Sequence, residues 1–243
     1  MIRFIPETGS TNADLAARLS AGEAVPEGEW LVADRQSAGR GRQGRTWFDG
    51  MGNFMGSTVV RPGPGDPPIS TLALVAGLAV HETVAPLIPP PQRAMLKWPN
   101  DVMIGPAKLC GILLEGASGL VIVGIGVNVG RQTFPGALAE TATSLAREVG
   151  RAPGRGEVLA AVLPALEETI EAFLAGGFAA IRGRYEPHCA LRGQVVSVEE
   201  RGEQRRIEAQ ALGLDEDGAL RVEPLGGGGP FRVESGDVWL AGP

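Results

Sequence analysis

The sequence predicts an α+β chain: a mixed, largely antiparallel sheet with flanking helices, followed by a small C-terminal β-barrel. Three observations predict it. Short apolar segments separated by glycine-containing turns crowd residues 95–129, the pattern of an antiparallel meander. Two stretches, 69–86 and 157–174, carry apolar residues at helical density and spacing. From Leu191 the texture changes to brief alternating runs closed by Gly or Asp-Gly, a five-stranded barrel pattern in about 50 residues. The chain therefore divides near residue 189, into 1–188 and 189–243.

Taken in order, Ser10-Thr11-Asn12 offers capping side chains ahead of Ala13–Leu19, where Leu15 and Leu19 lie four apart, so a short helix is expected. Trp30–Ala33 is a compact apolar strand, and the aperiodic segment 34–45 is a loop. Asn53–Arg61, rich in β-branched residues, is a strand, and 69–86 a largely buried helix, ended by Pro89-Pro90-Pro91. Met95–Trp98, Val102–Ile104, Lys108–Glu115 and Leu120–Val129 form the meander. After a linker, a helix from Glu157 to Leu174 buries Val158, Leu159, Val162, Leu166, Ile170 and Phe173, and a second runs to about Tyr185. The barrel strands are Gln194–Val198, Arg205–Leu214, Ala219–Pro224, Phe231–Glu234 and Val238–Leu240.

The net charge of −6 over 243 residues argues against a protein whose task is to coat nucleic acid or anionic membrane. Met1-Ile-Arg-Phe-Ile-Pro has no signal-peptide character, and no apolar run reaches the roughly 20 residues of a spanning helix. Cys110 and Cys189 lack disulfide or metal spacing and read as reduced buried thiols, so a cytoplasmic location is expected. Of 22 cations only Lys97 and Lys108 are lysines, and the only asparagines are Asn12, Asn53, Asn100 and Asn128. Where such rare residues persist, their particular chemistry is the first explanation to try, because a lysine is a compact charge and an arginine a planar fork.

Gly39-Arg-Gly-Arg-Gln-Gly44 matches the dinucleotide-binding pattern literally, but that fingerprint needs a helix opening at the third glycine, and none can form here. Neither lysine sits in a phosphate-binding Walker loop. What remains is a loop carrying Arg35, Arg40, Arg42 and Arg45 among glycines. Its charges repel one another unless an anion fills the space, and arginine forks with free backbone N–H groups suit phosphate or carboxylate. The plainer alternative is a solvated basic loop. Lys97 and Lys108 stand 11 apart across a predicted hairpin, where a lysine among apolar neighbours should face a polar cleft. Asn100-Asp101 after a proline fits an Asx turn; Asp101 also fits a metal carried in by a nucleotide. Asn128 ends a glycine-studded strand, a composition that marks close approach by a ligand. His81 and His188 show no metal spacing, no G-x-S-x-G elbow occurs, and Cys110 reads as a small hydrophobe rather than a nucleophile.

Together, Ser10-Thr11-Asn12, Q-S-A-G-R-G-R-Q-G-R-T-W at 36–47, K-W-P-N-D at 97–101, K-L-C-G-I-L-L-E at 108–115 and G-I-G-V-N-V at 124–129 resemble the biotin protein ligases. The resemblance spans about residues 8–130; beyond it, only length and pattern resemble that family's SH3-like barrel. It implies a class II synthetase-like catalytic domain and ATP-dependent activation of biotin to biotinyl-5'-AMP. The biotinyl group then passes to a lysine of a biotin carboxyl carrier protein. It further implies that Ser10, Thr11, Asn12, Gln36, Arg40, Gly41, Arg42, Lys108 and Gly111 serve biotin, with Lys108 and Arg42 catalytic. Arg45, Trp47, Lys97, Asn100, Asp101 and Asn128 would serve the nucleotide, and Asp101 its Mg2+. Cys110 stands where a smaller residue is commoner in the family. Regulatory members carry a DNA-binding domain first, whereas Met1 stands nine residues before Ser10, so a ligase without DNA as a partner is expected. The sequence leaves the oligomeric state open, a homodimer included. Lipoate ligation is the rival enzymatic reading, and an anion- or RNA-binding module the non-enzymatic one. The net charge and the single tyrosine disfavour the latter.

Overall fold

Two β-sheets organise the chain in a computed structural model that describes residues 1–151, 153–200 and 206–240. The larger holds β1 (Ile2–Thr8), β2 (Trp30–Gln36), β3 (Phe54–Val60), β4 (Ala94–Lys97), β5 (Asp101–Ile104), β6 (Ala107–Ala117) and β7 (Leu120–Val127), in the order β1-β2-β3-β7-β6-β5-β4. Every pairing in it is antiparallel except β1 with β2, which makes the sheet mixed. The meander forms as predicted. The sequence gives no hint of β1, because both its faces are largely exposed, with Ile2 41% and Phe4 55% accessible. An edge strand of this kind lacks the one-sided alternation that betrays a half-buried strand, and Pro6 suits an edge.

Alternation along β7 sends Val123, Ile125 and Val127 to one face and Ile122, Gly124 and Gly126 to the other. The first face is covered by α2 (Leu72–Val84) and by α5 (Arg155–Tyr185), which joins the same apolar cluster through Val158, Leu159, Val162, Leu166 and Phe173. By length and composition Ile69–Leu87 would suffice to cross a membrane, yet 67% of it is buried inside the molecule, as befits a helix sandwiched in a core. The second face is covered at one end by α1 (Thr11–Ser20), whose Leu15 and Leu19 pack on Leu31, Val59 and Ile122. The remainder of that face is open. Two short helices, α3 (Leu138–Thr141) and α4 (Leu145–Val149), occupy what the sequence suggests is linker. The predicted break in the last helix falls at Gly177, whose φ of 65° lies outside the helical region.

The smaller sheet holds β8 (Val195–Glu200), β9 (Arg206–Leu214), β10 (Leu220–Pro224), β11 (Phe231–Val233) and β12 (Gly236–Leu240), antiparallel in the order β11-β10-β9-β8-β12. The five expected strands are present; Arg205, the expected start of the second, lies outside the described residues. Their inner residues, including Val196, Ala211, Leu220 and Val233, join the same apolar cluster as Trp30 and Leu78. Hydrogen bonds reinforce the contact: Trp98 Nε1 donates to the Gly218 carbonyl at 3.0 Å and Thr71 Oγ1 to that of Asp217 at 2.9 Å.

Candidate active site

The open face of the large sheet has a gap built into its register. Met55, Gly126, Gly111, Asp101 and Lys97 stand side by side across β3, β7, β6, β5 and β4. One step along, Ser57, Gly124 and Leu113 form the neighbouring row. Glycines on the two central strands remove the side chains that would fill the middle. The result is a cavity of about 510 Å³, within the range of small-molecule sites. All the residues that the resemblance assigns to biotin or the nucleotide line it: Ser10, Thr11, Asn12, Gln36, Arg40, Gly41, Arg42, Arg45, Trp47, Lys97, Asn100, Asp101, Lys108, Gly111 and Asn128.

One end of the slot is polar and uncharged. Asn12, 3% exposed at the start of α1, hangs over Gly124, where a Cβ would stand 2.2 Å from its Oδ1. Ser57 Oγ donates to Asn12 Oδ1 at 2.6 Å and touches Thr11 Oγ1 at 2.6 Å, while the Thr11 amide donates to Gln36 Oε1 at 2.8 Å. Ser57 was not among the sequence candidates; a lone serine inside an apolar strand carries no signal of its own.

The other end is charged. Lys108 Nζ lies 2.5 Å from Asp101 Oδ1. Lys97, one register step away, has its ammonium pKa lowered, chiefly by burial and partly by the neighbouring Lys108 and Arg45, against the pull of Asp101 and Asp237. Asn100 donates to the Ile112 carbonyl at 2.7 Å and accepts from Arg42 at 3.1 Å. Asn128 is fixed from behind by Asn53, the one asparagine with no role legible in the sequence. Wholly buried, Asn53 donates to Asn128 Oδ1 at 3.2 Å and accepts from the Val129 amide at 3.0 Å and Gln132 Nε2 at 3.1 Å. The Asn128 amide group is thereby turned toward the Lys108 carbonyl and the cleft.

The arginine loop forms the roof. Gly41 N donates to the Arg45 carbonyl and Trp47 N to that of Gly39, which folds residues 39–47 back on themselves. Trp47 drops into the slot: a Cβ on Gly126 would meet its ring at 2.6 Å, one on Gly111 at 3.1 Å. Arg42 donates to the Gly236 carbonyl at 2.8 Å, and Arg45 pairs with Asp237 at 3.2 Å. Strand β12 thus closes the charged end, with Val238 and Trp239 on the lining. Arg35 pairs outward with Asp49 instead and is not on the lining. Cys110 lies beneath the floor, where burial pushes its thiol pKa far up, leaving it protonated and inert. Among the described residues no cluster of three or more His, Cys, Asp or Glu side chains is placed to hold a metal; two carboxylates, Asp101 and Asp237, line the cleft, Asp101 paired with Lys108 and Asp237 with Arg45.

A neutral pocket that grips one end of a small molecule, joined to a cationic chamber that can hold two anions together, is the working surface of a carboxylate-activating ligase. Known proteins agree. The Biotin/lipoate A/B protein ligase family matches residues 5–131, and the chain belongs to that family, within it to the biotin protein ligases. It is 38% identical over 239 residues to the biotin--[acetyl-CoA-carboxylase] ligase of Mycobacterium tuberculosis, covering 96% of this chain and 86% of the relative. The enzyme of the same name from Paracoccus denitrificans is 34% identical, covering 98% of this chain and 100% of the relative. Among solved structures, the biotin protein ligase of Aquifex aeolicus in complex with biotin and ATP superposes with a TM-score of 0.87 at 30% identity, over 99% of both chains.

Proposed function

We propose that this protein uses ATP to convert biotin to biotinyl-5'-AMP and then transfers the biotinyl group to a lysine of a biotin carboxyl carrier protein. The observation that carries the proposal is Lys108, whose Nζ lies 2.5 Å from Asp101 Oδ1 and 2.9 Å from where a Cβ on Gly111 would stand, on the lining of the same cavity as Thr11, Asn12 and Gln36. Biotin would lie along the glycines, held by Ser10, Thr11, Asn12 and Gln36 and covered by Arg40, Gly41 and Arg42. ATP would take the end bounded by Arg45, Trp47, Lys97, Asn100 and Asn128. Asp101, a carboxylate beside the triphosphate position, suits Mg2+ arriving with ATP, since that ion usually takes one or two carboxylates plus phosphates.

The carboxylate oxygen of biotin attacks the α-phosphorus, and pyrophosphate leaves with the electrons of the broken bond. Lys108 and Arg42 offset the repulsion between the two anions and the charge that builds as they meet. The roof excludes water from the mixed anhydride. The carrier lysine then attacks the acyl carbon, loses a proton and expels AMP. Catalysis belongs to residues 1–188 in this reading, with the 189–243 unit closing the nucleotide end.

Pyrophosphate release in the presence of biotin or lipoate tests the proposal. Release with biotin and none with lipoate is expected; the reverse would transfer the assignment to lipoate ligation. Lys108→Arg keeps the charge but not its compact geometry, and adenylate formation should fall by about 100-fold. Near-normal turnover in that variant would remove Lys108 from its role.

A further inference from the structure

We propose that Glu115 is a positioning residue that sets the direction of the hydrogen bonds at the biotin end and ties the roof to them, an assignment that rests on the biotin reading above. Glu115 Oε2 accepts from Asn12 Nδ2 at 2.7 Å and from Arg40 at 3.1 Å. It is the partner through which the roof meets the neutral end of the floor, and it lies on β6 away from the charged chamber of Asp101 and Lys108.

The direction follows from counting protons. A carboxylate only accepts, so Glu115 compels Asn12 to turn its NH2 outward and its Oδ1 toward Ser57. Ser57 must then spend its single proton on Asn12 Oδ1, 2.6 Å away. The 2.6 Å contact between Ser57 and Thr11 consequently takes the single Thr11 hydroxyl proton, which is then not available for the longer 3.2 Å approach of Thr11 Oγ1 to Gln36 Oε1. Gln36 Oε1 is satisfied by the Thr11 amide at 2.8 Å, which leaves the Gln36 NH2 for a ligand. One charge at the end of the chain therefore fixes which donors and acceptors the pocket offers. A neutral amide at position 115 could present its own NH2 to Asn12, and the whole chain Asn12–Ser57–Thr11 could run in reverse. The Arg40 anchor would be lost as well.

Glu115→Gln tests this with shape preserved. The KM for biotin should rise about tenfold, the scale of a charge-assisted hydrogen bond, with kcat and the KM for ATP within about twofold. Glu115→Asp, which keeps the charge, should restore part of the loss. In a double-mutant cycle, Arg40→Ala should cost far less in the Glu115→Gln background than alone. An unchanged KM for biotin in Glu115→Gln, or an equal rise for ATP, overturns the assignment. Absence of biotin-dependent pyrophosphate exchange in the unaltered protein overturns the biotin reading, and this assignment with it.

Discussion

Glycine determines where the slot lies, and at three positions the geometry says why. Gly111, Gly124 and Gly126 each face a side chain so closely that a methyl group would intrude on Lys108, Asn12 or Trp47. Gly124→Ala should therefore displace Asn12 and raise the KM for biotin at least tenfold, whereas Gly116→Ala on the same strand pair, with nothing within 4 Å of its Cβ, should leave exchange kinetics unchanged. Equal kinetics for the two variants would show that the glycines are merely turn chemistry. At this scale the sequence was informative where residue type was rare. Both lysines, and Asn12, Asn100 and Asn128, line the cavity, and Asn53 supports Asn128 from beneath. It assigned no role to Ser57, Glu115 or Asp237. These are common residue types, and their partners lie 45, 103 and 192 positions away, so only the folded register brings their chemistry together.

Among the elements, α2 carries a buried imidazole. His81 is 2% exposed, bonds the Ala94 carbonyl at 3.0 Å through Nε2 and stacks on His188 with ring centroids 4.3 Å apart. Burial, and secondarily His188, lower its pKa below the ordinary 6.5. The folded state thus resists a proton that the unfolded chain accepts. Stability is full above about pH 6.5 and declines as pH falls through the window between the unfolded and the lowered folded value. Between pH 7.5 and 5.5 the melting temperature should drop on this account, and the drop should shrink in His81→Gln. An undiminished drop in that variant would assign the effect to other groups. Elements with long apolar runs, such as α2 and the β4–β7 meander, were legible because those runs are buried in the core. The edge strand β1 and the short α3 and α4 were not, since none presents a continuous buried stripe.

For the whole molecule, the two sheets share one apolar cluster, and Trp98, on the turn that leads to Asp101, bonds the carbonyl of Gly218. Trp98→Phe should cost about 1–3 kcal/mol while unfolding remains a single transition. A separate, earlier melting of the C-terminal strands in the unaltered protein would contradict that coupling. The edge strand has a mechanical consequence. Because β1 runs parallel to β2 and leads within two residues to Ser10, a pull directed along β1 would load their hydrogen bonds in shear and reach Thr11 and Asn12. Strain on that strand would tug on the residues proposed to hold biotin.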